Sequence, residues 1–123
     1  YYKDLNSHHV IDACSGATFL IRKDIMDEIG YLDERFFMYA EDLDWCKRVR
    51  DHGFQVIYHP EVKITHHKYK SGIKSSSKQI AKTTNRYFYD TMLQYYDKHY
   101  VDKYPKFIRQ IIKYFITIKK GGF

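Results

Sequence analysis

Residues 40–52 constrain the fold more than any other segment of the chain. Leu43, Cys46 and Val49 recur at a spacing of three, so a helix here has one apolar face and carries its charged residues elsewhere. Gly53 follows, and glycine is the residue type that most often ends a helix. The pattern therefore predicts a helix over residues 40–52 that packs one face into the core of a domain.

The other predicted elements are short and mixed in type. Four segments are expected to be extended: 10–13, 18–21, 54–58 and 62–65. Three further helices are expected: 24–29, ending at Gly30; 80–100, rich in tyrosine; and a last helix opened by Pro105. Residues 68–79 are expected to form an exposed loop. A chain of 123 residues, 44% of them hydrophobic, can bury one modest core.

Two adjacent carboxylates, Glu41 and Asp42, stand at the start of the 40–52 helix, directly after an aromatic run. Apolar neighbours and a helix end hold a carboxyl group in a fixed direction, where it can take a proton from a bound hydroxyl as a general base. An acidic first turn that complements the helix dipole is the other explanation of the pair. The pair alone does not decide between these two roles.

Several short motifs occur in a fixed order around the carboxylate pair: residues 15–22, 29–39, 41–48, 53–54, 58–61, 66–67 and 71. The 41–48 motif reads Glu-Asp-Leu-Asp-Trp-Cys-Lys-Arg. In order and spacing the motifs resemble the C-terminal half of the catalytic domain of family 2 glycosyltransferases, enzymes of GT-A fold that include bacterial rhamnosyltransferases. The resemblance covers about residues 10–100.

The resemblance implies an α/β fold: the C-terminal portion of a GT-A, Rossmann-like glycosyltransferase domain, with short mixed strands, helices and a helical C-terminal extension. Residues 1–100 would be the acceptor-side half of that domain, and residues 101–123 a basic amphipathic C-terminal helix. The donor-nucleotide half, with the family's Asp-x-Asp metal motif, would lie in a missing N-terminal half of the same enzyme. The chain is therefore expected to be a fragment that is inactive alone.

The resemblance also implies an activity and a set of site residues. A hexosyltransferase of this kind would move a sugar from a nucleotide-sugar donor to a glycan or lipid-linked acceptor, with inversion, in cell-surface polysaccharide synthesis. Asp42 would be the general base, and Glu41 would orient it or contact the acceptor. His66 would bind a divalent metal, Mn²⁺ or Mg²⁺, and imidazole suits Mn²⁺ better. The substrate-binding residues would be Gly16, Ala17, Tyr39, Lys70 and Ser71.

Asp42-Leu43-Asp44 also satisfies the Asp-x-Asp pattern literally. Residues two apart on a helix point in nearly opposite directions, so these two carboxylates cannot chelate one ion. The pattern therefore does not supply the donor-metal motif. Asp44 is instead expected to pair with Arg48 at the i,i+4 spacing, an interaction of a few tenths of a kcal/mol on a helix surface.

Charge divides the chain unevenly. Residues 1–67 carry 8 Lys/Arg against 12 Asp/Glu, a net charge of −4, whereas residues 68–123 carry 13 against 3, a net charge of +10. The last helix combines lysines with an apolar stripe: Phe107, Ile108, Ile111, Ile112, Phe115 and Ile116. The stripe is expected either to pack against protein or to lie on an anionic membrane surface. The location would be cytoplasmic, or peripheral on the inner face of the cell membrane.

Two other classes of function remain open at this point. The basic, aromatic C-terminal half suits a non-catalytic module that binds glycan, anionic membrane or nucleic acid, although no nucleic-acid motif is present and no nucleic-acid partner is expected. The other class is an assembly appendage of a larger transferase.

Cys14 and Cys46 have no close spacing and suggest neither a disulfide scaffold nor a zinc site.

Overall fold

The computed structural model describes residues 4–65 and 78–121. These residues belong to two compact units, one of residues 4–33 and 41–65 and the other of residues 34–40 and 78–121. The elements follow in the order β1 (His9–Ile11), α1 (Lys23–Ile29), α2 (Glu41–Asp51), β2 (Val56–Tyr58), α3 (Lys78–His99) and α4 (Lys106–Gly121). Helices with a small sheet are compatible with the predicted α/β class. The GT-A fold and the division at residue 100 stay predictions.

The sheet of the first unit is a two-stranded antiparallel ribbon of β1 and β2. His9 lies opposite Tyr58, Val10 opposite Ile57, and Ile11 opposite Val56. Side chains alternate between the two faces of a strand, so Val10 and Ile57 are exposed together while their neighbours are half-buried. The strands predicted over 10–13 and 54–58 are confirmed, each with shorter bounds.

Both helices of the first unit end at the predicted glycines. Gly30 has a φ of 83° and donates its N–H to the Met26 carbonyl at 2.9 Å. Gly53 has a φ of 84° and donates its N–H to the Arg50 carbonyl, and Phe54 donates its N–H to the Val49 carbonyl. The last pair of bonds is a Schellman motif, which needs a residue in the left-handed region. Glycine adopts that conformation without a Cβ penalty, so the sequence located both helix ends correctly.

The core of the first unit forms where α1 and α2 meet. Ile29, Trp45 and Val49 are buried, and Phe19, Ile21, Ile25, Met26, Phe54 and Val56 pack against them. The Phe19 and Trp45 ring centroids are 5.3 Å apart. Because Leu43 is 46% exposed, the apolar face of α2 is made by Trp45, Cys46 and Val49 instead.

The strand predicted over 18–21 is wrong. These residues form no ladder in the described structure, although Phe19 and Ile21 turn inward and Leu20 is 98% exposed. Side-chain alternation shows only that the backbone is extended, whereas a strand also needs a neighbouring strand to take its N–H and C=O groups. Residues 62–65 likewise have no regular secondary structure.

The second unit is a helical hairpin of α3 and α4 with residues 34–40 against it. The two helices are antiparallel, because Arg109 near the start of α4 binds Asp97 near the end of α3, and Lys120 binds Asp90 further back. Phe36 is buried, and its ring centroid lies 6.5 Å from that of Tyr95, with the two rings tilted by 55°. Pro105 immediately precedes α4, as predicted. Among the described residues, no helix is both long enough and apolar enough to cross a bilayer.

Candidate functional site

Asp42 is fixed by two backbone amides from different parts of the first unit. Its Oδ2 accepts the Gly16 N–H at 2.8 Å, and its Oδ1 accepts the Leu43 N–H at 2.8 Å. The Leu43 amide is one of those that a helix leaves unpaired in its first turn, so the carboxylate caps its own helix. The Gly16 amide comes from 26 residues earlier in the chain. A capping role alone does not require that second bond.

The half-buried Asp42 carboxylate keeps acceptor capacity after both bonds. A carboxylate oxygen has two lone pairs, and each oxygen of Asp42 uses one of them on an amide. The two amides fix the plane of the group, so its remaining lone pairs have a defined direction. This is the arrangement that a base needs in order to receive a proton from a bound hydroxyl.

The backbone that enters α2 is strained. Tyr39 has a φ of 69° and Ala40 a φ of 65°, both in the left-handed region that residues with a Cβ rarely adopt. Such conformations cost of order 1–3 kcal/mol each and persist only where the surrounding structure holds them. The strained pair directly precedes Glu41 and Asp42 and so determines where the helix that carries them begins.

Glu41 differs from Asp42 in having an unsatisfied oxygen. Its Oε2 is buried and has no hydrogen-bond partner in the part of the chain that the structure describes. A buried acceptor without a partner costs about 1–3 kcal/mol, so native proteins rarely leave one. The prediction that Glu41 either orients Asp42 or contacts the acceptor stays open. The unpaired oxygen favours contact with a ligand.

The sequence predicted the partner of Asp44 but not its burial. Its predicted pairing with Arg48 is confirmed, with Nε 2.9 Å from Oδ2. However, Asp44 is fully buried, and Arg48 also donates to Ile29 O at 2.7 Å and to Tyr31 O at 2.6 Å. The pair therefore joins α2 to the residues that end α1. Removing one partner of such a buried pair costs more than the few tenths of a kcal/mol expected for an exposed helix pair, because the other charge stays desolvated.

Asp42 and Asp44 also meet different partners, as the helical placement of Asp42-Leu43-Asp44 requires. Asp42 binds the Gly16 amide, whereas Asp44 binds the Arg48 guanidinium. Trp45, between Asp44 and Cys46 in the chain, donates its Nε1–H to Gly30 O at 2.9 Å. The helix thus presents one carboxylate to the candidate site and uses its next turn to hold the fold together.

A pair of thiols close to the site was missed by the sequence analysis. Cys14 Sγ lies 3.8 Å from the buried Cys46 Sγ, and both cysteines are free. Burial, together with the neighbouring Cys46 thiol, raises the pKa of Cys14 to about 11. Cys14 stands two residues before Gly16, and Cys46 one helical turn after Asp42. Since the two cysteines are 32 residues apart, no sequence pattern could reveal the contact.

The other predicted binding residues are only partly placed. Gly16 and Ala17 form an exposed turn beside Asp42. A Cβ built on Gly16 would lie 3.6 Å from Asp42 Cβ and 3.7 Å from its Oδ2, which are ordinary contacts. The described residues therefore leave room for a methyl group at position 16. Tyr39 lies in the second unit, with its ring 5.6 Å from Phe88.

The predicted metal and phosphate contacts cannot be placed. His66, Lys70 and Ser71 lie outside the described residues. Within residues 4–65 and 78–121, no group of three or more His, Cys, Asp or Glu side chains is arranged to hold a metal ion. His66 as a metal ligand therefore stays a prediction.

Parts of this chain are similar in sequence to known glycosyltransferases. The N-acetylglucosaminyl-diphospho-decaprenol L-rhamnosyltransferase of Mycobacterium tuberculosis is 34% identical over 67 residues, which are 54% of this chain and 22% of that protein. Rhamnosyltransferase WbbL of Escherichia coli is 30% identical over 88 residues, 69% of this chain and 33% of that protein. The low-salt glycan biosynthesis hexosyltransferase Agl10 of Haloferax volcanii is 35% identical over 46 residues, 37% of this chain and 15% of that protein.

The chain thus spans about a fifth to a third of the length of the two rhamnosyltransferases. No solved structure gives a significant match. The family described as glycosyltransferase like family 2 matches residues 4–89, a segment that includes Gly16, α2 and its carboxylates. Because this match covers more than half of the chain, the chain belongs to the family 2 glycosyltransferases and is similar to their rhamnosyltransferases.

Proposed function

We propose that this chain is the acceptor-side part of a glycosyltransferase that moves a sugar from a nucleotide-sugar donor to a glycan or lipid-linked acceptor, with Asp42 as the general base. The observation that carries the proposal is the Asp42 carboxylate, held between the Gly16 and Leu43 amides. Membership of the family supports glycosyl transfer as the activity. The names of the relatives, rhamnosyltransferases and a hexosyltransferase, support a hexose-type donor sugar.

In the proposed reaction, Asp42 accepts the proton of an acceptor hydroxyl through a lone pair that the two amides leave available. The deprotonated oxygen forms a bond to the anomeric carbon, and the bond from that carbon to the nucleoside diphosphate breaks. Since the attack comes from the face opposite the leaving group, the configuration inverts. The nucleoside diphosphate leaves with the electron pair of the broken bond, and the proton remains on Asp42 until solvent removes it.

Glu41 supports the acceptor in this proposal. Its buried Oε2, which has no described partner, would accept a hydrogen bond from a second hydroxyl of the acceptor. That bond would orient the sugar so that the reacting hydroxyl points at Asp42. Glu41 therefore acts in binding and positioning, and its loss should change KM more than the loss of Asp42 does.

Asp42→Asn in the full-length natural protein is the direct test. Asparagine keeps the size but cannot accept the proton, so the rate of transfer should fall by roughly 10²–10⁴, the usual contribution of a general base. Asparagine can accept a hydrogen bond from only one of the two backbone amides, because its NH₂ group is a donor and would face the N–H of the other. We therefore expect an accompanying stability loss of about 1 kcal/mol, with donor binding unchanged.

Asp12→Asn is the matched control, because Asp12 is exposed and pairs only at the surface with Arg50. It should leave both transfer and stability unchanged within error. Glu41→Gln should reduce transfer less than Asp42→Asn does. Near-normal transfer by Asp42→Asn, in a protein that still binds the donor, would rule out Asp42 as the base.

A further inference from the structure

The outer face of α4 is apolar and exposed. Phe107, Tyr114 and Phe115 are 60–64% exposed, and Ile111 and Ile118 are 46% and 51% exposed. At about 100° per residue, these five positions lie within one arc of about 100° on the helix surface. The neighbouring side of α4 faces α3, and there Ile116 is buried and Ile108 and Ile112 are half-buried. The stripe seen in the sequence is therefore two faces, and only one of them packs against α3.

The ends of α4 are held on α3 by ion pairs. Arg109 donates to both Asp97 oxygens at 2.7 Å, and Lys120 binds Asp90. Both aspartates belong to α3, so the pairs fix which side of α4 turns toward its neighbour. An unanchored amphipathic helix could rotate to cover its apolar residues. In α4 these ion pairs oppose that rotation, and the outer arc stays exposed.

The charge beside the outer arc has one sign. After Asp102 the chain has no acidic residue up to Phe123, and it has six basic ones: Lys103, Lys106, Arg109, Lys113, Lys119 and Lys120. Lys106, Lys113 and Lys119 are exposed. A second copy of α4 would bring these like charges together, which disfavours pairing of two outer arcs. An anionic surface would be complementary to them.

We infer that the outer arc of α4 is a docking surface for an anionic lipid membrane. The helix has 16 residues and is about 24 Å long, so it can lie in the membrane plane with its five apolar side chains among the acyl chain ends. The three exposed lysines reach the headgroups, as lysines beside interfacial helices do. The inference does not rest on the proposed function. If both hold, the transfer reaction takes place beside a surface where a lipid-linked acceptor would be found.

Vesicle binding by the full-length natural protein tests the inference. The probes are phosphatidylcholine vesicles, with and without phosphatidylglycerol, measured by co-sedimentation. We expect at least tenfold tighter binding to the anionic vesicles, and a loss of that difference as salt rises. The double change Phe107→Gln and Phe115→Gln should weaken binding to the anionic vesicles at least tenfold. Phe37→Gln, at a phenylalanine outside α4 that is 77% exposed, should leave it unchanged.

The charge contribution has its own pair of variants. Each lysine near an anionic surface contributes about a fivefold factor to binding, so Lys113→Gln with Lys119→Gln should weaken it roughly 25-fold. Lys63→Gln, an exposed lysine of the first unit, should have no effect. Phe115→Trp adds a direct probe when its emission is read as the difference from the unsubstituted protein, and the one tryptophan of these 123 residues, Trp45, is buried. Its emission should shift to the blue with anionic vesicles.

Three results would overturn the inference. One is a folded protein whose Phe115→Trp emission does not respond to anionic vesicles. Another is a Phe107/Phe115 variant that keeps vesicle binding but melts at a lower temperature, which would show that protein covers the arc. The third is a concentration-dependent dimer that the same variant abolishes, which would assign the arc to a second copy of the chain.

Discussion

Replacing Asp44 by asparagine should destabilise this protein far more than its sequence position suggests. Asp44 is fully buried, and its carboxylate balances the charge of Arg48, whose side chain is only 16% exposed. Asparagine keeps nearly the same shape but removes the negative charge. The guanidinium would then keep only the carbonyls of Ile29, Gly30 and Tyr31. The buried amide would also bring two new donors that need partners.

The size of the effect follows from burial. Removing one partner of a buried ion pair costs about 3–5 kcal/mol, because the other charge stays desolvated and unbalanced. Asparagine can still accept one hydrogen bond from Arg48, so we expect about 3 kcal/mol. For a chain of 123 residues, in which 1 kcal/mol shifts Tm by roughly 4 °C, this corresponds to a fall in Tm of roughly 12 °C. It is also a large part of a typical free energy of unfolding of about 5–15 kcal/mol.

Asp27→Asn is the control for this experiment. Asp27 pairs with Lys23 at the same i,i+4 spacing on α1, with side chains 51% and 81% exposed. The same change of chemistry at an exposed pair should cost no more than about 0.5 kcal/mol. Thermal and urea unfolding of the two variants give the comparison. Equal losses of stability at Asp44 and Asp27 would refute the argument from burial.

Two further results are expected. The pKa of Cys14 is raised from its usual 9.0 to about 11. The rate of its alkylation by iodoacetamide in the native protein should therefore rise steeply only as pH approaches 11. The urea-unfolded chain should already react near pH 9. The raised pKa means that folding favours the protonated thiol, so its stabilising contribution is complete below pH 9 and is lost as pH rises to about 11. If the free energy of unfolding instead increased over this pH range in the protein with Cys14, relative to the Cys14→Ser variant, the argument would be contradicted. Gly53→Ala should lower the free energy of unfolding in urea by about 1 kcal/mol, because the φ of 84° is unfavourable to alanine. Steric overlap does not add to this cost, since no described atom lies within 4 Å of the added Cβ. An unchanged urea midpoint would contradict the left-handed conformation at this helix end.

Helices and their ends could be predicted from the sequence because the signals are local. The apolar spacing within α2 and the glycines at positions 30 and 53 act through the backbone of the same few residues. The same holds for Pro105, which immediately precedes α4. The choice of Asp42 as the candidate base came from the resemblance to family 2 glycosyltransferases, and the structure adds the two amides that fix the direction of its carboxylate.

Features that depend on distant parts of the chain could not be predicted in this way. The burial of Asp44 depends on the carbonyls of residues 29–31 reaching Arg48, which periodicity within α2 does not reveal. The contact between Cys14 and Cys46 spans 32 residues. Residues 18–21 alternate like a strand, yet whether they pair depends on a neighbour elsewhere. Each of these features depends on a tertiary environment that the local sequence does not contain.

The four residues from Tyr39 to Asp42 break local rules of stability, and they do so consecutively. Tyr39 and Ala40 have left-handed backbones, Glu41 has a buried oxygen without a described partner, and Asp42 is a half-buried carboxylate. Tyr39 and Ala40 belong to the second unit and Glu41 and Asp42 to the first, where the helix ends carry glycine and the buried Asp44 is paired with Arg48. Exceptions concentrated in this way are typical of sites where function opposes stability. Together with the Gly16 and Leu43 amides that fix Asp42, these exceptions at the start of α2 support the proposal that Asp42 is the base.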